Sequence, residues 1–240
     1  MKKIFFAIAL MLFAVTAQAK TLIVYYSYTN NVERIVNGLR SQIEADVIEV
    51  EPAEKGLDYA ANNYAIGSAQ IAAIRENPND AASYPAIDPI NVDMSQYSTI
   101  IIGAPLWWSN MAAPLQTFLF QHGKEMAGKN IGLIVSSASS GISGVESDAK
   151  RLIPEGKFLS PSLWIRSSQT SNAKTLLQNW LQAIDYNNLV SCIKNVVQDH
   201  NTGFIVYSLS GVRLLADAES TATLPAGLYI INGKKTFISK

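Results

Sequence analysis

The sequence predicts an α/β fold: a doubly wound, five-stranded parallel sheet with helices on both faces, followed by a small C-terminal β unit. Short runs of β-branched and aromatic residues alternate with segments whose apolar residues recur at helical spacing. The first predicted strand, Thr21–Tyr26, is apolar on both faces, as is typical of strands buried in a parallel sheet. After Ile184 the alternation ends, and from Phe204 the residues are those of short antiparallel strands.

The predicted elements follow one another along residues 20–184. Thr21–Tyr26 is the first strand, and the apolar spacing from Val32 to Ile43 predicts the helix that follows it. The other predicted strands are Asp46–Pro52, Ser98–Pro105, Asn130–Ser137 and Ser162–Ile165, and the other helices lie around Leu57–Arg75, Ala113–His122, Ser147–Leu152 and Asn172–Ile184. Such alternation forms βαβ units, whose crossovers produce a parallel sheet.

Residues 1–19 have the pattern of a secretory signal peptide. Lys2 and Lys3 precede a short apolar run, and residues 17–19 read Ala-Gln-Ala, a small-x-small cleavage site. A membrane anchor is the alternative, but the apolar run is short for a span. Cleavage would leave 17 basic and 19 acidic residues, a net charge of −2. We therefore expect an exported protein of the periplasm, the cell surface or the exterior.

Composition excludes several classes of function. The 240 residues, 48% of them hydrophobic, suffice for one domain with a substantial core and an appendage. The formal net charge of zero argues against nucleic acid as the main partner, because phosphate binding relies on concentrated Lys and Arg. Cys192 is the single cysteine, which excludes an internal disulfide framework and a multi-cysteine metal site. A hydrolase lacks support because no Gly-x-Ser-x-Gly motif occurs.

Three predicted loops leave the carboxyl edge of the sheet, where open α/β sheets bind ligands. The first loop consists of Ser27, Tyr28, Thr29, Asn30, Asn31 and Val32. Its hydrogen-bonding residues precede a helix N-terminus, whose unpaired N–H groups favour phosphate. It is neither a Gly-Lys-Ser/Thr loop nor a Gly-x-Gly-x-x-Gly fingerprint. Plain helix capping explains this loop alone equally well, since Ser, Thr and Asn are the preferred caps.

The second and third loops strengthen the prediction of a ligand site. The second contains Pro105, Leu106, Trp107 and Trp108, and the third contains Ser137, Ala138, Ser139, Ser140 and Gly141. The indole rings suit stacking on a planar ring, although a tryptophan pair is usually core. Small residues let backbone N–H groups approach a ligand, although they also suit a solvent loop. Together the three loops predict a site for a phosphorylated planar cofactor.

The same residues resemble a known family. The region from about Thr21 to Ile184 resembles the flavodoxin-like family that binds FMN, particularly a bacterial branch whose middle loop reads Gly-x-Pro-x-Trp-Trp. The middle loop matches at Gly103, Pro105, Trp107 and Trp108, the first loop at Ser27, Thr29 and Asn31, and the third at Ser137, Ser140 and Gly141. The family has Gly where this chain has Asn30, Thr where it has Val32, and Gly where it has Ala138 and Ser139.

The resemblance implies that FMN is the cofactor and that the loop residues hold it. It also implies electron transfer, or a flavin-dependent reduction of small molecules such as quinones. Carrier flavodoxins are strongly acidic, so a mature charge of −2 favours the reductase. The departures at Val32, Ala138 and Ser139 keep a second hypothesis open, namely a non-redox ligand-binding module that has lost FMN.

The C-terminal residues 204–240 are predicted to form a separate β unit after a linker, 185–203. Asn232-Gly233 between two alternating runs predicts a hairpin. Residues 206–240 resemble the end of sorting domains of exported proteins in Bacteroidetes-type bacteria, through Tyr207, Leu209, Gly211, the run LPAGLYII and a basic last strand. This resemblance implies secretion machinery as a partner. The alternative is a small β unit packed on the main domain.

Overall fold

The computed structural model describes residues 20–190, 204–209, 211–218, 224–231 and 233–238. They fall into two compact units, divided between residues 191 and 192. The predicted signal peptide, most of the predicted linker, Cys192 and Asn232 lie outside the described residues. Among the described residues, no helix is both long enough and apolar enough to cross a membrane.

The first unit contains the predicted parallel sheet. Its strands are β1 (Lys20–Tyr25), β2 (Asp46–Glu49), β3 (Tyr97–Trp107), β4 (Asn110–Met111), β5 (Asn130–Ser137), β6 (Lys157–Phe158) and β7 (Leu163–Arg166). The order is β2-β1-β3-β5, and β6 and β7 together occupy the fifth position beside β5. These strands are parallel, whereas the short β4 pairs antiparallel with the end of β3. The predicted fold class is confirmed.

Helices cover both faces of this sheet. They are α1 (Asn31–Arg40), α2 (Ala61–Glu76), α3 (Ala113–His122), α4 (Ser143–Leu152), α5 (Ala173–Ala183) and α6 (Tyr186–Val190), with short 3-10 turns at Ala81–Ser83, Met94–Gln96, Gly123–Met126 and Ser167–Asn172. Successive strand residues point to opposite faces. Ile101 therefore packs with α1 and α5, whereas Ile100 and Ile102 pack with α2, α3 and α4.

Several elements differ from their predicted extents; β2, for example, ends at Glu49 rather than at Pro52. β3 continues past Pro105 to Trp107, so the predicted middle loop is a hairpin that returns through Trp108 and Ser109 into β4. α2 begins at Ala61 rather than near Leu57, and residues 62–64 within it have positive φ angles of 48°, 56° and 62°. α4 begins at Ser143, four residues before the predicted start. Apolar periodicity could not place these boundaries, because tertiary contacts determine them.

The second unit is a four-stranded antiparallel sheet. Its strands are β8 (Phe204–Tyr207), β9 (Arg213–Ala218), β10 (Gly227–Ile231) and β11 (Lys234–Ile238), in the order β11-β10-β8-β9. Ile231 pairs with Lys234, which confirms the predicted hairpin. Gly233 has a φ angle of 79°, the left-handed conformation that such a turn requires.

Candidate functional site

The corner between β1 and α1 presents hydroxyl groups and helix N–H groups. Asn30 has a left-handed conformation, with a φ angle of 59°, which Asn adopts more readily than most residues. The Ser27 Oγ accepts a hydrogen bond of 3.2 Å from the Glu33 backbone N–H, and the Asn31 Nδ2 donates one of 3.2 Å to the Thr29 Oγ1. Each hydroxyl keeps its own proton to donate. The corner can therefore bind an anion through neutral donors.

Val32 takes a different place from its loop neighbours. Its side chain is 2% exposed and lies in the core under α1, so only its backbone N–H belongs to the corner. A Cβ atom added to Gly103 would lie 3.0 Å from the Val32 Cγ1, which shows how closely α1 packs on β3.

Trp107 is the centre of a cluster of aromatic rings. Its ring meets those of Tyr26, Tyr28 and Trp108 edge-on, with centroid distances of 5.6, 6.3 and 6.3 Å, and that of Tyr59 at 4.8 Å. Trp107 is half-buried, whereas Trp108 is 41% exposed. The pair is therefore not folded wholly into the core, and Trp108 keeps an accessible ring surface.

A cavity of about 220 Å³ opens beside this cluster. It is lined by Tyr28, Tyr59, Tyr64, Gly67, Leu106, Trp107 and Trp108. None of these side chains carries a formal charge at neutral pH, and burial raises the pKa of Tyr59. The cavity is smaller than the roughly 300–1,000 Å³ of most ligand pockets. It can enclose part of a planar ring but not a whole ligand the size of FMN.

Tyr59 and Gln70 carry polar atoms that the described residues leave unpaired. The Tyr59 hydroxyl and the Gln70 Oε1 are both buried, and neither makes a hydrogen bond. The two side chains are neighbours. Burial raises the pKa of Tyr59, and Gln70 lowers it by a smaller amount. The two groups miss hydrogen-bond geometry in this conformation.

The third predicted loop follows β5 at the same edge of the sheet but does not belong to the wall of the cavity. Ser137 is buried at the end of β5, where its Oγ donates to the Ser140 carbonyl and accepts from the Trp164 Nε1, both at 2.8 Å. Residues 138–141 are exposed, and no residue of this loop lines the cavity. Arg166 lies over the Trp164 ring, 4.7 Å from its centroid. The loop keeps its backbone N–H groups at the same sheet edge.

The structure adds site residues that the sequence did not single out. Tyr64 and Gly67 line the cavity from α2, and a Cβ atom on Gly67 would lie 3.1 Å from the Trp108 ring. The signal in the sequence was the glycine within a helical pattern. Glycine destabilises a helix, so its presence there can indicate that another group packs closely against the helix. Nothing in the local pattern indicated Asp148, which bonds the turn after Trp107 from α4.

Comparisons with known proteins agree with this architecture. A family model described as flavodoxin matches residues 20–184. A search among curated proteins finds none that matches. A solved structure of a candidate flavoprotein from Bacteroides eggerthii DSM 20697 is 22% identical with a TM-score of 0.55, covering 70% of this chain and 98% of that one.

Two further solved structures are similar. A candidate flavoprotein from Bacteroides uniformis ATCC 8492 is 24% identical with a TM-score of 0.52, covering 67% of this chain and 98% of that one. A flavoprotein from Lactobacillus acidophilus NCFM, solved in complex with FMN, is 22% identical with a TM-score of 0.50, covering 65% and 99%. At these identities the likeness shows the fold.

Proposed function

The chain belongs to the flavodoxin family through residues 20–184, and from this premise we propose that it binds FMN at the carboxyl edge of its sheet. One observation carries the proposal. Tyr28 belongs to the hydroxyl-rich corner of α1 and also lines the aromatic cavity, so the anion site and the ring site adjoin. A ligand with a phosphate at one end and a planar ring at the other fits this arrangement.

The residues present fit the two ends of FMN. Ser27, Thr29 and the first N–H groups of α1 would hold the phosphate through neutral donors. Trp107 and Trp108 would cover the ring and exclude water from it. The exposed backbone of residues 138–141 would donate hydrogen bonds to the ring edge. Ala138 and Ser139 stand at the two positions where the family has Gly, and both are exposed and lie outside the wall of the cavity.

FMN, when bound, supplies electron exchange, and the protein supplies binding and the electrostatic surroundings. We propose reduction of small molecules such as quinones rather than service as a dedicated carrier, because a mature charge of −2 provides little steering toward basic partners. The accessible ring surface of Trp108 agrees with a site open to a small acceptor. Export through residues 1–19, and secretion machinery as a partner of the C-terminal sheet, belong to the same proposal.

The decisive experiment is co-elution of FMN with the purified chain. After incubation and gel filtration, we expect flavin absorbance to elute with the protein at one FMN per chain. Riboflavin, which lacks the phosphate, should bind about 10- to 100-fold more weakly, because charge-assisted hydrogen bonds are lost. Failure to retain FMN or to quench its fluorescence would overturn the proposal and favour a non-redox binding module. Retained FMN would justify assays with NADH, NADPH and quinones.

Replacing Ser27 by Ala tests the phosphate corner. We expect a loss of about 1 kcal/mol in the free energy of unfolding, because the Glu33 N–H loses its acceptor. FMN affinity should fall more than riboflavin affinity, since only FMN has the phosphate. Ser41→Ala is the matched control, because the Ser41 Oγ bonds the Gly38 carbonyl at the other end of α1. Equal losses for FMN and riboflavin would contradict the placement of the phosphate.

A further inference from the structure

The turn that carries Trp108 has an unfavourable backbone conformation. Trp107 pairs with Asn110, so Trp108 and Ser109 are the two central residues of the hairpin between β3 and β4. Their φ angles are 45° and 63°. Positive φ at both central positions is typical of Asn and Gly and disfavoured for other residues. Such a conformation persists only where the surrounding structure holds it.

Asp148 of α4 holds this turn from one side. Its Oδ2 accepts hydrogen bonds from the Asn110 Nδ2 and from the Met111 backbone N–H, both at 2.9 Å. Asp148 is only 6% exposed, so water competes little for these bonds. Both donors belong to β4, the strand that receives the chain directly after Trp108 and Ser109. The buried carboxylate thereby determines where the turn ends.

Arg75 of α2 holds the same turn from the other side. Its Nε donates a hydrogen bond of 2.8 Å to the Asn110 Oδ1, and its Nη2 donates to the Trp108 carbonyl. The Asn110 amide is therefore bonded at both ends, to Arg75 through oxygen and to Asp148 through nitrogen. The backbone of Trp108 is bonded directly to one helix and, through the next residues, to another.

The carboxylate is itself held in one orientation. The Arg151 Nη2 lies 3.2 Å from the Asp148 Oδ1 and donates at 2.8 Å to the Gln116 Oε1, while the Arg151 Nη1 donates at 2.9 Å to the Tyr84 hydroxyl. Gln116, in turn, donates to the Met111 carbonyl. A connected network of this kind holds its members more firmly than isolated pairs do. Asp148 itself does not line the aromatic cavity.

We propose that Asp148 is a positioning residue for the ligand site. Through Asn110 and the Met111 N–H it holds the turn that sets the Trp108 ring against Trp107, at a centroid distance of 6.3 Å and an angle of 79°. The orientation of the indole pair therefore depends on a carboxylate outside the cavity. The consequence for FMN affinity rests on the proposed function, whereas the consequence for the indole pair does not.

Asp148→Asn is the main test, because it keeps the size of the side chain. The amide must turn its NH₂ either toward the Asn110 Nδ2 and Met111 N–H donors or toward the Arg151 guanidinium, and each choice sets donor against donor. Arg75→Met is a second, milder variant, since Arg75 is exposed and its loss leaves Asp148 in place. Thr117→Val is the control. It removes a buried hydroxyl whose hydrogen bonds within the described part of the chain go to the Pro85 and Ala113 carbonyls.

Two readouts separate positioning from stability. The coupled far-UV circular dichroism band of two neighbouring indoles depends on their mutual angle and can be measured without FMN. We expect Asp148→Asn and Arg75→Met to change this band and to raise the FMN Kd about tenfold, a change of the size expected when one hydrogen bond is lost. Thr117→Val should lower Tm and leave both quantities unchanged.

The outcomes decide the two proposals separately. A variant band equal to that of the wild type, with Tm lowered as in Thr117→Val, would show that Asp148 is merely structural and would overturn the inference. If the variants change the band but the wild-type protein does not bind FMN, the positioning role is supported and the proposed cofactor is refuted. A changed band with an unchanged FMN Kd would overturn the part of the inference that concerns affinity.

Discussion

Trp107→Ala is expected to lower the free energy of unfolding by about 2–3 kcal/mol, less than the roughly 3–5 kcal/mol of a fully buried aromatic residue, because Trp107 is half-buried. The same change should abolish detectable FMN binding. Trp107 contacts the rings of Tyr26, Tyr28, Tyr59 and Trp108, so its removal leaves a void at the centre of the cluster. Loss of the ring would also enlarge the cavity and admit water to the side on which the flavin is proposed to lie.

Two comparisons separate the stability effect from the binding effect, with urea unfolding and FMN fluorescence as the measurements. Trp180→Ala should cost at least as much stability and leave FMN affinity unchanged, because Trp180 is 3% exposed and lies in the other core with α1 and α5. Trp108→Ala should weaken FMN binding with a smaller loss of stability, because Trp108 is 41% exposed. If Trp107→Ala binds FMN as the wild type does, the aromatic cluster is not the ring site.

Gly144→Ala is expected to destabilise the protein through steric overlap. The added Cβ would lie 1.7 Å from the Ser109 carbonyl oxygen and 2.9 Å from its carbonyl carbon, and these are backbone atoms of the turn after Trp108. Relief requires the turn or α4 to move, and overpacking of this kind typically costs about 1–3 kcal/mol and occasionally more. Because the displaced turn carries Trp108, FMN affinity should fall together with stability.

The matched control is Gly38→Ala, in the interior of α1. There the added Cβ would meet the Leu177 Cδ1 at 3.4 Å, an ordinary contact, and Ala is the better helix former by up to about 1 kcal/mol. We expect Gly38→Ala to be as stable as the wild type or more so, with unchanged FMN affinity. Thermal unfolding and FMN titration of the two variants measure both effects. A Gly144→Ala protein as stable as Gly38→Ala would show that α4 does not press against the turn.

Much of the main domain could be predicted because its signals are local. Asn130–Ser137 and Ala113–His122 coincide with β5 and α3 as the structure has them. A continuous apolar run predicts a buried strand, and apolar residues at helical spacing predict a helix with one buried face, so each element can be predicted from its own residues. Family membership was likewise readable from three short loops and is confirmed over residues 20–184. The narrower branch and the sorting function of the C-terminal sheet stay predictions.

The candidate site was only partly predictable. The first two loops were placed at the correct sheet edge, because parallel strands end there together. The directions of their side chains were not predicted. Val32 turns inward to Gly103, and Trp107 belongs to a strand rather than a loop. Tyr64 reaches the cavity from a position that local periodicity assigns only to a helix.

The sequence by itself determined the order of strands and helices, the hydroxyl corner after the first strand and the presence of the tryptophan pair, because each follows from residues close together in the chain. Only the tertiary structure decided the conformation of the turn at Trp108 and Ser109. Arg75 and Asp148 hold that turn across separations of more than 30 residues. Their hydrogen bonds offset an unfavourable backbone conformation, and no local preference of Trp108 or Ser109 would predict it.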